Sequence, residues 1–167
     1  MRRSFVDTVL GQWHVVREGH GPQVLLLPAA SQSHNAVRRL ARALTTRFDV
    51  TVLDLPGSGY SGPLPPGTRF EDLAHAVHYA IGALGLDRPC VYGIHTGNKI
   101  AASLAARHPA SVSGVVLCGQ THSLVMDQAL RTHGMRAISA KRHRSSAQHP
   151  GAQLQQKGVA VGHDLPG

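Results

Sequence analysis

Residue types and spacing with chemical potential concentrate at Gly93-Ile94-His95-Thr96-Gly97. This pentapeptide follows Cys90-Val91-Tyr92, a short apolar run of strand character, and leads into a predicted helix from Asn98 to Arg107 that Pro109 stops. A turn that joins strand to helix this tightly strains its central residue. Neighbouring side chains larger than hydrogen would strike the adjacent strand and helix, which accounts for the flanking glycines. Residue 95 should then project from the top of a sheet, beside a helix N-terminus whose N–H groups favour negative charge and a neutral imidazole. A neutral imidazole can attack an acyl or phosphoryl centre or activate a water molecule. The same five residues also fit a plain strand–helix turn with no chemistry.

Other reactive types are less well placed. His75 and His78 lie three apart on a predicted helix, but no third ligand with metal spacing is apparent, so they are assigned to a partly exposed helix face and no metal is expected. Asp54-Leu55-Pro56-Gly57 matches the metal-linked Asp-x-x-Gly of nucleotide-binding proteins. No Gly-x-x-x-x-Gly-Lys-Ser/Thr precedes it, however, and Gly97-Asn98-Lys99 has the wrong spacing. Asp54 is instead expected to end its strand and hydrogen-bond the turn that follows. His34 is placed at a helix-entry surface. Cys90 and Cys118 each sit in an apolar run and read as buried small hydrophobes of a reducing compartment, not as a disulfide or metal pair.

Alternating strands and helices must position these residues. Gln12 to Glu18 alternates as an early strand, and Val24-Leu25-Leu26-Leu27 is a continuous apolar run typical of a strand buried on both faces. A helix over Asn35 to Thr46 carries Val37, Leu40, Ala41 and Leu44 on one stripe, with Arg38, Arg39 and Arg42 largely opposite. Val50 to Leu55 is the next buried strand, closed by Pro56-Gly57-Ser58-Gly59. Phe70 to Leu84 is helical and ends at Gly85 as a C-cap, and Val115 to Cys118 is a further strand. This βαβαβαβ order predicts an α/β fold with a parallel sheet and helices on both faces. Beyond Thr121 the pattern deteriorates; Ser123 to Leu130 could form a short helix and Val159-Ala160-Val161 a weak strand.

Composition bounds the partners. The 167 residues carry 17 Lys/Arg and 9 Asp/Glu, a net charge of +8. Residues 1–120 hold 11 basic and 7 acidic residues, and the last 47 hold 6 and 2, so each part contributes +4 and the shorter one is denser in charge. The basic cluster Lys141-Arg142-His143-Arg144 has no aromatic stacking partner nearby, which argues for a solvated tail over a nucleic-acid arm. No stretch approaches the about 20 apolar residues that span a bilayer. Met1-Arg2-Arg3 is followed by no apolar leader core, so a cytoplasmic location is expected.

Three segments together resemble the α/β-hydrolase superfamily: Asp54-Leu55-Pro56-Gly57-Ser58-Gly59-Tyr60-Ser61, then Gly93-Ile94-His95-Thr96-Gly97, then Ala101 to Pro109. The resemblance covers about residues 10 to 120. It implies that residues 93–97 form the family's nucleophile elbow, with His95 where Ser, Cys or Asp is usual. The oxyanion hole it implies draws on the N–H of Thr96 and on the loop after Leu27, where Pro28-Ala29 replaces the frequent His-Gly and Ala30, with Ala29 next, supplies the second N–H. The implied function is hydrolysis of a small ester-like or otherwise acyl substrate. The alternative is a catalytically inactive fragment that binds a ligand or partner. No cofactor is implied. Asp127 and Asp164 are available only by type as an acidic partner, and His143, His149 and His163 as the later histidine. The expected organisation is a partial hydrolase-like core over 1–122, lacking cap domain and last strands, followed by an irregular, poorly ordered basic tail over 123–167. The open sheet edge after Cys118 suggests self-association.

Overall fold

The computed structural model describes residues 1–119. The expectations for the tail, for Val159-Ala160-Val161, and for Asp127, Asp164, His143, His149 and His163 fall outside that range. Strands β1 (Arg2–Thr8), β2 (Gly11–Glu18), β3 (Gln23–Leu27), β4 (Asp49–Leu53), β5 (Cys90–Ile94) and β6 (Gly114–Cys118) form one sheet in the order β1-β2-β4-β3-β5-β6. Strands β4, β3, β5 and β6 pair with one another in parallel. They are the apolar runs that the sequence marks as buried strands. Two N-terminal strands add an antiparallel margin, β1 on β2 and β2 on β4, so the sheet is mixed rather than wholly parallel. Strand β1 escaped the sequence reading because Arg2-Arg3-Ser4 presents polar residues and only Val6 is buried, as befits an edge.

Helix α1 (Arg38–Leu44), entered by a 3-10 turn His34–Val37, follows β3. Helices α2 (Phe70–Ala83) and α3 (Thr96–Arg107) follow β4 and β5. The pleat divides the sheet's side chains between two cores. Val16, Leu26, Val50 and Val52 pack with Val37 and Ala41 of the α1 layer. Trp13, Val15, Leu25, Leu27 and Leu53 pack with Leu73, Ala74, Val77, Ile81, Ile100 and Leu104 of α2 and α3. Leu25, Leu26 and Leu27 are fully buried, each contributing about 2 kcal/mol of apolar transfer free energy. Gly85 (φ 63) turns the chain out of α2 in the left-handed conformation expected after a helix end.

The cysteines require a correction. Cys90, at the start of β5, is half-buried, and Cys118 is exposed because β6 is the margin of the sheet among the described residues. Val115, Val116 and Leu117 of the same strand are exposed as well. An apolar run identifies a strand but does not say whether anything covers both of its faces.

Candidate active site

The strand order locates a crevice. From β3 the chain crosses to β4 on one side, whereas from β5 it crosses to β6 on the other. The carboxyl ends of the adjacent strands β3 and β5 therefore flank a topological switch point, where open α/β sheets bind ligands. The loop after Leu27 leaves one lip and His95 stands on the other.

At His95 the backbone bends sharply, with φ 48 and ψ −103, a region costly for any residue but glycine. Surrounding contacts hold it there. A side chain on Gly93 would place its Cβ 2.5 Å from the Gly97 carbonyl oxygen, and one on Gly97 would come 2.1 Å from the Leu27 carbonyl oxygen. Asn98, fully buried in the first turn of α3, clasps the end of β6: its Nδ2 donates to the Cys118 carbonyl at 2.8 Å and its Oδ1 accepts the Cys118 N–H at 3.0 Å. The His95 N–H also donates to the Cys118 carbonyl, at 3.2 Å. The imidazole itself is exposed and lies over Gly119, where an added Cβ would sit 3.0 Å from its Cε1.

Ala30 and Thr96 both line an apolar cavity of about 390 Å³, whose wall also includes Leu55, Pro56, Leu64, Phe70 and Leu73. Ala30 is exposed and Ala29 buried. Their loop turns through a bond from the Gln32 N–H to the Ala29 carbonyl, with Ser31 in the left-handed region at φ 64. The Ala30 N–H meets no main-chain acceptor among the described residues. The Thr96 N–H opens α3, where no intrahelical acceptor exists.

A buried polar cluster beneath this loop corrects the placement of His34 at a surface. His34 is 5% exposed, His14 2% and Asp54 0%. The Asp54 carboxylate receives His14 Nδ1 at 2.9 Å and His34 Nδ1 at 3.1 Å, both on Oδ2. It also accepts the His34 N–H on Oδ1 and the Tyr60 N–H on Oδ2 at 3.3 Å. Asp54 thus bonds the following turn, as its strand-end position implied, and additionally ties β2 to the loop after β3. Gly59 is required beside it, since a Cβ there would lie 2.0 Å from Oδ2. The three ligand-type atoms lie within 4.8 Å of one another, close enough to share a metal ion. Four N–H groups already engage the carboxylate, however, which makes the cluster a hydrogen-bonded clamp complete in itself. Asn98 and His14 carried no signal in the sequence: a buried amide or imidazole becomes legible only once its partners, 20 and 40 residues away, are brought next to it.

The mixed sheet, its helices and the switch-point crevice define an α/β-hydrolase core, and the comparison with known families agrees. The family model described as "alpha/beta hydrolase fold" matches residues 22–137. This chain belongs to that family. Among curated relatives, the pimeloyl-[acyl-carrier protein] methyl ester esterase of Chromobacterium violaceum is 36% identical over 115 residues, 66% of this chain and 41% of its own. An epoxide hydrolase from an endophytic Streptomyces superposes with a TM-score of 0.64 at 29% identity, covering 70% of this chain and 36% of that one. A hydrolase from Pseudomonas aeruginosa, with a TM-score of 0.70 at 22% identity over 89% of this chain and 54% of that one, shares the fold. The chain spans about two fifths of the length of the esterase it matches. No described helix is long and apolar enough to cross a membrane.

Proposed function

We propose that the core, residues 1–122, carries the oxyanion-hole side of a hydrolytic site for a small ester or other acyl substrate. In this reading His95 is the nucleophile or general base and the N–H groups of Ala30 and Thr96 receive the developing oxyanion. The observation that carries it is the strained bend at the switch point, which holds an exposed His95 directly before Thr96, while Thr96 and Ala30 border one apolar cavity. Negative charge that forms on a carbonyl oxygen there gains from preorganised N–H donors and from the amino end of α3. A cavity of about 390 Å³ suits a small, largely apolar acyl or alkoxy group. The esterase activity named for the Chromobacterium violaceum relative supports an ester as the substrate class.

Hydrolysis of p-nitrophenyl acetate and butyrate by wild type and by His95→Ala tests the assignment. A nucleophile or general base contributes roughly 10²–10⁴-fold, so the variant is expected to lose at least about 100-fold in kcat/KM. Equal rates would leave His95 without a catalytic part. One observation favours a second reading, a ligand-binding remnant without turnover: the His95 ring forms no hydrogen bond to another described side chain, whereas acid–base work needs an orienting partner. In that case substrate-like esters bind, with equal affinity in wild type and variant, and are not cleaved by either.

A further inference from the structure

We propose that His75, His78 and His108 form a binding site for a divalent transition-metal ion of the zinc(II) class. The fold supplies the third ligand that spacing along α2 lacks. His75 and His78 lie three apart on one face of α2, and His108 closes α3 immediately beside them. The ring centroids are separated by 4.1 Å (His78–His108), 5.5 Å (His75–His108) and 6.2 Å (His75–His78). Three imidazoles bound to one zinc ion through bonds of about 2.0–2.1 Å have ring centres roughly 5 Å apart. The stacked, parallel rings of His78 and His108 and the ring of His75 must turn about their side-chain bonds to bring one nitrogen of each to a common ion.

Two features prepare the cluster for a cation. His78 Nδ1 lies 2.6 Å from Ser111 Oγ, and Ser111 is itself held by a bond from its N–H to the His108 carbonyl at 2.9 Å. In the tautomer whose Nδ1–H donates to that hydroxyl, the Nε2 lone pair is left for the ion, the arrangement that orients metal-ligating histidines. The neighbouring Arg107 is drawn toward Glu71 at 3.8 Å. His75 is exposed and His78 and His108 half-buried, so an ion reaches the cluster from solvent. Bound there, it would cross-link α2 to the end of α3.

Calorimetric titration of the full chain with zinc(II) chloride near pH 7.5 tests the site against the background of the other histidines. Wild type is expected to bind one equivalent more than His78→Gln/His108→Gln, and Ser111→Ala to weaken that equivalent by about tenfold. Identical stoichiometry and affinity in wild type and double variant would overturn the proposal. Imidazole ¹⁵N resonances of the wild-type protein give a readout that needs no variant. Zinc should shift His75, His78 and His108 together, and unmoved resonances would equally overturn the assignment.

Discussion

Gly97→Ala is expected to destabilise the protein by about 3 kcal/mol or more, a large share of the roughly 5–15 kcal/mol that holds a domain of this size. The new Cβ would meet the Leu27 carbonyl oxygen at 2.1 Å, its carbon at 2.9 Å and the Pro28 oxygen at 3.1 Å. None of these atoms can give way cheaply. Leu27 belongs to β3, in the middle of the sheet, and its neighbours β4 and β5 hold it from both sides. Relief has to come from lifting α3 off the sheet, which opens the core around Ile100 and Leu104. Gly82→Ala is the matched control. It lies in α2 with nothing within 4 Å of an added Cβ, and gains helix propensity of about 0.5–1 kcal/mol. Urea denaturation of both variants checks the pair; a Gly97→Ala midpoint within experimental error of wild type would contradict the packing described for the bend.

Asp54→Ala carries the second large effect. The substitution strands two buried imidazole nitrogens and two main-chain N–H groups that now share one carboxylate. Breaking a buried charged network by deleting one partner costs about 3–5 kcal/mol. His34 also anchors the far end of the loop that carries Ala30, so on the proposed reading the loss extends to function. Thermal denaturation should show a markedly lower Tm. Ester hydrolysis measured well below that Tm should fall as well if the Ala30 amide serves the oxyanion. A change in stability below about 1 kcal/mol would mean that the clamp is not what holds the loop.

Local patterns made much of the sheet legible. Continuous apolar runs at Leu25–Leu27 and Val50–Leu53 mark strands buried because βαβ crossovers cover both faces, the run at Val115–Leu117 marks a strand without saying that it is covered, and Gly85 and Pro109 punctuate the helices through backbone constraints that act within a few residues. What stayed hidden depends on partners distant in sequence. β1 is polar and gains its place by pairing with β2. His34 looks like any polar residue at a helix entry until Asp54, twenty positions on, lies beneath it. His108 joins His78 only because α2 and α3 pack side by side. The glycines at 93 and 97 were readable because a strand–turn–helix pentapeptide demands them locally. The amide of Asn98 was not, since its reason is the end of β6.

The bend at His95 is set by the backbone around it. Its conformation is enforced by Gly93, Gly97, the Leu27 carbonyl and the Asn98 clasp, and the imidazole supplies none of these restraints. The position acts as a socket whose shape is independent of its occupant. Serine or cysteine installed at 95 would inherit the same strained backbone, because none of its restraints comes from the side chain at that position.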